Sequence, residues 1–232
     1  MNKKPNVMLV HGAWADASCW RKVILLLEAK GFEVTAAQIP LTSLADDIAV
    51  TRRLVSMRPE PTVLVGHSYG GAVITGAATA LPNVKTLVYI TAFGLDEGES
   101  LESLSKAGPP SPGSASIRPD DQGYLWIDRA TFHTSFCGDA TREEAAVMAA
   151  VQRPLSLASF SGKEATPAWK KLPSFYLICT EDKMIPPPAQ ELMAKRMGAT
   201  VSSVPSSHSP FMSQPQAIAD MIAQAAETVH AS

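Results

Sequence analysis

Gly66-His67-Ser68-Tyr69-Gly70 follows a short β-rich run, Thr62-Val63-Leu64-Val65, and opens an Ala- and Gly-rich stretch from Gly71 to Leu81 that reads as a helix. A G-x-S-x-G pentapeptide between a strand and a helix reads as a nucleophile elbow. The sharp turn holds its serine in a strained backbone conformation, so the positions two before and two after it must be small. Gly66 and Gly70 meet that demand, and Gly71 and Ala72 let the helix sit close to the sheet. Such a turn exposes the serine oxygen above the sheet. The backbone N–H of Tyr69 lies beside it at the start of a helix, where a developing oxyanion is favoured.

A serine hydroxyl is a poor nucleophile at neutral pH and needs a base, usually oriented by a third group. Downstream, Ser174 to Cys179 reads as a buried strand with Thr180-Glu181-Asp182-Lys183-Met184-Ile185-Pro186 at its carboxyl end. Val201 to Val204 reads as the next strand. Pro205-Ser206-Ser207-His208-Ser209-Pro210-Phe211 follows, then a helix from about Pro215 to His230. His208 is the candidate base. Glu181 and Asp182 are candidate acids, and Asp96, beyond the fourth strand, is a further one. Of the other histidines, His11 reads as a structural hydrogen-bonding residue near the first strand, and His230 as solvent-exposed.

These segments, with Leu9-Val10-His11-Gly12-Ala13-Trp14 near the start, resemble an α/β-hydrolase of the esterase, hydroxynitrile lyase and cofactor-free haloperoxidase branch. The resemblance spans nearly the whole chain. It implies a Ser68, Asp182, His208 triad in the chain order usual for that fold, and an oxyanion hole from the backbone N–H groups of Ala13 and Tyr69. It favours Asp182 over Glu181, because Asp182 matches the family's loop. His67 then fills an elbow position common in the family.

Around these motifs strands and helices alternate, the mark of a parallel sheet covered on both faces. Val7 to Val10, Glu33 to Ala37, Thr62 to Val65 and Thr86 to Ile90 read as strands, and the two late strands bring the count to six. The helix from Leu44 to Met57 has a polar outer face of Asp46, Asp47, Arg52 and Arg53. The fold class is α/β: a six-stranded parallel sheet with helices on both faces. Between Phe93 and Leu172 the alternation breaks down over a length too great for one connection. The resemblance implies a small cap inserted there, residues 93–172, over a core of residues 1–92 and 173–232. That interval is expected to set substrate preference. Trp14, Phe93, Trp126 and Phe211 are the candidate pocket residues, with Trp126 the foremost aromatic of the cap.

The 232 residues carry 46% hydrophobic and 18% charged residues, a globular balance suited to one domain. A net charge of −2 gives no electrostatic reason to bind nucleic acid or an acidic membrane. Cys19, Cys137 and Cys179 stand at unrelated spacings, suggesting neither a disulfide framework nor a zinc site. No targeting or membrane-spanning run is apparent, so a cytoplasmic monomer or homodimer is expected. The chemistry asks for no metal, nucleotide or flavin; the glycines have neither dinucleotide nor P-loop spacing. The expected activity is hydrolysis of carboxylic esters of small to medium, neutral and largely apolar substrates through an acyl-enzyme. Hydroxynitrile lyase, perhydrolase or haloperoxidase chemistry on the same triad is the alternative, or a non-catalytic small-molecule receptor. The resemblance weakens the lyase reading: members with that activity carry a lysine after the catalytic histidine and a threonine in the oxyanion segment, where this chain has Ser209 and Gly12.

Overall fold

A computed structural model describes residues 4–230, with the side chain of His230, expected at the surface, outside the described residues. In chain order the first half comprises β1 (Asn6–Val10), α1 (Arg21–Ala29), β2 (Val34–Ala37), α2 (Leu44–Ser56), β3 (Thr62–His67), α3 (Tyr69–Ala77) and β4 (Val84–Ile90). After β4 come α4 (Leu101–Ala107), β5 (Ile117–Pro119), β6 (Tyr124–Ile127), α5 (Phe132–Phe136), α6 (Arg142–Val151), β7 (Leu155–Ser156) and α7 (Leu157–Ser161). The chain ends with β8 (Ser174–Cys179), α8 (Pro187–Arg196), β9 (Thr200–Val204), α9 (Pro210–Ser213) and α10 (Pro215–Glu227).

The main sheet has the order β2-β1-β3-β4-β8-β9, and each neighbouring pair is parallel. Six parallel strands match the expected fold class. Alternate side chains divide the core, as a pleated strand requires. Met8, Val10, Leu64, Leu87 and Tyr89 join one apolar cluster with α2, α3 and α8. Val7, Leu9, Val63, Val65 and Val88 face the other, with α1 and α10. All nine residues of α3 are buried, which explains its apolar composition all round.

Two features depart from the sequence reading. Asp47, assigned to an outer polar face, is fully buried. It accepts the Tyr69 hydroxyl at 2.5 Å and the Leu41 N–H at 2.8 Å. Burial, the largest influence, pushes its carboxyl up to about 6. The second is a three-stranded antiparallel sheet, β5-β6-β7, between β4 and β8. Its strands have three, four and two residues, too few to show a period of two.

Candidate active site

Ser68 follows β3, Asp182 follows β8 and His208 follows β9. Because these strands are parallel, their carboxyl ends share one edge, where such sheets bind ligands. Ser68 has φ 53° and ψ −123°, a conformation that costs a non-glycine residue roughly 1–3 kcal/mol. Its surroundings hold it there. The Ser68 carbonyl accepts the N–H groups of Gly71 and Phe93, both at 3.0 Å, and its own N–H donates to Ile90. A Cβ at Gly66 would lie 2.5 Å from the Gly70 carbonyl oxygen, and one at Gly70 would lie 2.6 Å from that of Val10. Only glycine fits either place.

His208 Nε2 lies 2.8 Å from Ser68 Oγ, and its Nδ1 lies 2.6 Å from Asp182 Oδ2. All three side chains are withdrawn from water. The Asp182 carboxylate also accepts the backbone N–H groups of Met184 and Ile185, at 2.7 and 3.0 Å, and Gln190 Nε2 at 3.2 Å. The Thr91 hydroxyl donates to it as well. A carboxylate so surrounded is held in one orientation with the Nδ1 side of the imidazole against it. Glu181, by contrast, is exposed. Asp96 is far from this constellation in its bonding: it pairs with Lys170 at 2.6 Å, and that contact holds its carboxyl below the usual range.

Two further histidines support the backbone. His11 Nδ1–H donates to the Gly12 carbonyl at 2.8 Å, and its Nε2 accepts the Ile39 N–H at 3.2 Å. Burial lowers its pKa to about 4, so the ring is neutral and the tautomer is set by its partners. His67 Nε2–H donates to the His208 carbonyl at 2.7 Å, and burial, followed by the neighbouring His208, keeps it well below the ordinary imidazole range. The elbow therefore grips the His208 backbone through the residue just before Ser68.

The Asp139 carboxylate, between α5 and α6, accepts the hydroxyls of Ser206 at 2.7 Å and Ser213 at 2.5 Å, the Ser207 N–H at 3.1 Å, and the Ser207 hydroxyl. Burial works to raise its pKa, but the hydrogen bonds from Ser207, Ser213 and Ser206 prevail and lower it. Asp139, Thr91 and Gln190 escaped the sequence reading. The one signal for Asp139 was the run of serines around His208, which must find acceptors if buried.

Ser68 and His208 open into a cavity of about 170 Å³ whose wall includes Ala13, Trp14, Tyr69 and Phe93, with Leu101, Ile117, Leu155 and Phe160 from the chain between β4 and β8. Trp14 sits at φ 58°; its indole N–H donates to Leu125 and its backbone N–H to Arg153. Tyr69 is the first residue of α3, so its N–H has no acceptor within the helix. A Cβ at Gly12 would lie 2.7 Å from Ser68 Cβ, which shows how closely the segment before Ala13 approaches the serine. The structure does not bring Trp126 or Phe211 to this wall. Trp126 is 38% exposed and donates its indole N–H to Asp120. Phe211 is buried against Trp20 and His67, at ring separations of 5.7 and 5.0 Å. Among the described residues no group of three or more His, Cys, Asp or Glu side chains could hold a metal ion.

A pyrethroid hydrolase from Sphingobium wenxiniae is 28% identical over 96% of this chain and 88% of its own length. Methylesterase 1 of Arabidopsis thaliana is 27% identical, with 97% of each chain covered. The crystal structure of a pyrethroid hydrolase from Sphingobium faniae superposes with a TM-score of 0.83 at 25% identity, covering 96% of this chain and 97% of that one. Residues 7–221 match the model of the alpha/beta hydrolase family, and with that match the chain belongs to the alpha/beta hydrolase family.

Proposed function

We propose that this protein is a carboxylic-ester hydrolase in which Ser68 is the nucleophile, His208 the general base and Asp182 the acid that orients it. The observation that carries the reading is the continuous contact from Ser68 Oγ to His208 Nε2 and from His208 Nδ1 to Asp182 Oδ2, at 2.8 and 2.6 Å. The pyrethroid hydrolase and methylesterase relatives support it. As Oγ bonds to the ester carbonyl carbon, Nε2 takes its proton, and Asp182 stabilises the imidazolium. The oxyanion lies between the backbone N–H groups of Ala13 and Tyr69, each contributing on the order of 3 kcal/mol. The carbon–oxygen bond to the alcohol breaks, the imidazolium proton passes to the leaving alkoxide, and acyl-Ser68 remains. Water, losing its proton to His208, then adds to the acyl carbon; collapse releases the acid and returns the proton to Oγ.

Residues 93–172 act as a cap on the core of residues 1–92 and 173–232, a reading supported by the share of the cavity wall they supply. The lyase alternative finds little support. The Ser209 hydroxyl is engaged by the Phe136 carbonyl, and a side chain at Gly12 would collide with Ser68. No helix among the described residues is long and apolar enough to cross a membrane. A cytoplasmic setting is supported by three cysteines that are all buried and unpaired.

The decisive experiment combines two measurements. Ser68→Ala abolishes turnover of a short aryl ester while circular dichroism stays native, and an organophosphonate labels Ser68 in the unsubstituted protein. Retained turnover in the variant, or labelling at another serine, would overturn the assignment.

A further inference from the structure

A second cavity, of about 470 Å³, lies against the first. The two share Phe93, Ser105, Ser111, Ser114, Met184 and Ile185 in their walls. Beyond these the larger cavity is walled by Leu104, the prolines around Pro109 and Pro186, and Leu192 and Met193 of α8, with no charged side chain on it. Leu192 is 69% exposed, so apolar surface continues out to water at its rim.

This groove is registered on the candidate triad. Met184 and Ile185, in the shared wall, are the residues whose N–H groups hold the Asp182 carboxylate. The stretch that brings Ser111 and Ser114 to the shared wall is tied to the same loop: the Gly113 N–H donates to the Lys183 carbonyl at 2.7 Å. A Cβ at Gly113 would collide with Met184 Sδ and lie 2.9 Å from the Lys183 carbonyl oxygen, so the two segments pack closely there. A ligand in the groove therefore lies at a set distance from the reacting serine.

The volumes are unequal in a telling way. About 170 Å³ beside Ser68 is below the range of roughly 300–1,000 Å³ usual for small-molecule sites. The adjoining 470 Å³ brings the pair within it. Charge narrows the choice further. A carboxylate or ammonium in the groove would lose its water without gaining a partner of opposite charge, which is unfavourable.

We infer that the larger cavity is the subsite for a long, uncharged, apolar arm of the substrate, whose compact arm fills the small cavity at Ser68. The substrate class is then an asymmetric neutral ester with one short side and one long hydrocarbon-like side. This rests on the ester-hydrolase reading and adds to it the side of the site that selects.

The test uses two series on the purified protein: p-nitrophenyl esters of straight-chain acids from acetate to decanoate, and straight-chain alkyl acetates from methyl to decyl. Each buried methylene should raise kcat/KM about threefold to fourfold in one of the series until the groove is filled. Leu192→Asp, at an exposed position, should lower the long-to-short ratio of kcat/KM in that series at least tenfold. Leu25→Asp, an equally exposed leucine of α1 at 67%, should keep the ratio. A profile flat or falling with length in both series would overturn the inference. So would a rise that Leu192→Asp leaves intact or that Leu25→Asp also removes. Turnover of acetates without a length effect would sink the groove alone. Failure to turn over any ester, with Ser68 unlabelled by phosphonate, would sink the hydrolase reading and the groove with it.

Discussion

At the sheet edge, position is a matter of backbone: Ser68, Asp182 and His208 each stand one to four residues past a parallel strand, and glycines at 66 and 70 bring the chain into contact where no Cβ fits. Between β4 and β8, position is a matter of side chains meeting polar groups. Asp139 gathers the serines flanking His208, Trp14 reaches the Leu125 carbonyl, and Gln152 brackets Ile127. On the proposed reading the first region sets the angles of the chemistry, and the second supplies part of the cavity wall beside Ser68. The difference implies that changes at the edge act on kcat for every ester, while changes in the interval act on which ester is used, except where the interval holds His208.

The largest effect tests the edge. Asp182→Asn keeps the shape but presents an amide to His208 Nδ1, favouring the wrong tautomer. It should lower kcat about 10⁴-fold, by the precedent of the serine protease triad. Glu181→Gln, at an exposed position, should change kcat less than about twofold. Steady-state kinetics on one short ester decides it, and the reverse ranking would move the acid by one residue.

The next effect tests the exception. Asp139→Asn removes the charge that lets one carboxylate accept four hydrogen bonds. The loop carrying His208 should loosen, and a misplacement on the order of 1 Å can cost about a hundredfold in rate. The expected result is a kcat lowered roughly tenfold to a hundredfold with KM little changed, because Asp139 itself lines neither cavity. An unchanged kcat together with lower resistance to urea would reduce Asp139 to a support of the fold.

What the residues revealed in advance follows the same division. The elbow was legible because a strained serine between close-packed backbones leaves glycine as the only choice at Gly66 and Gly70. The inner strands β1, β3, β4 and β8 were legible because both faces of a parallel sheet are apolar. The strand ends narrow the candidates to His208 and to Glu181 or Asp182, and it is the resemblance to the hydrolase family that favours Asp182. Trp126 and Phe211 could not be placed, since an aromatic residue in a sequence carries no sign of the side it faces. Asp47 misled for a related reason: helical spacing marks a polar residue as outward unless its partner, here the Tyr69 hydroxyl on another helix, is known. The β5-β6-β7 sheet is made of strands shorter than any pattern they could display.

The smallest effect on turnover, and a sizeable one on stability, is expected at Glu164, where the interval returns to the core. This carboxyl packs against α3, where a Cβ at Gly76 would lie 3.0 Å from its Oε1. One oxygen accepts the Ala165 N–H, while the other is buried without a partner. Burial, outweighing the Ala165 N–H and the Arg52 charge, raises its pKa from the ordinary 4.5 to about 7. The folded chain therefore keeps a proton that the unfolded chain has released, so stability falls as pH rises from about 4.5 to 7. Glu164→Gln keeps an acceptor for Ala165 and stays neutral, so it should be spared this loss. At pH 8 the variant should gain on the order of 3 kcal/mol relative to the parent, compared with their difference at pH 4. Asp47 titrates in both proteins and cancels from the comparison. Urea unfolding at the two pH values measures it, and turnover should be the same in both, since Glu164 lines neither cavity at Ser68 nor its extension. If the two stabilities run parallel with pH, Glu164 is ionised in the folded state, and the junction of the interval with α3 must hold a charge as the Asp139 clamp does.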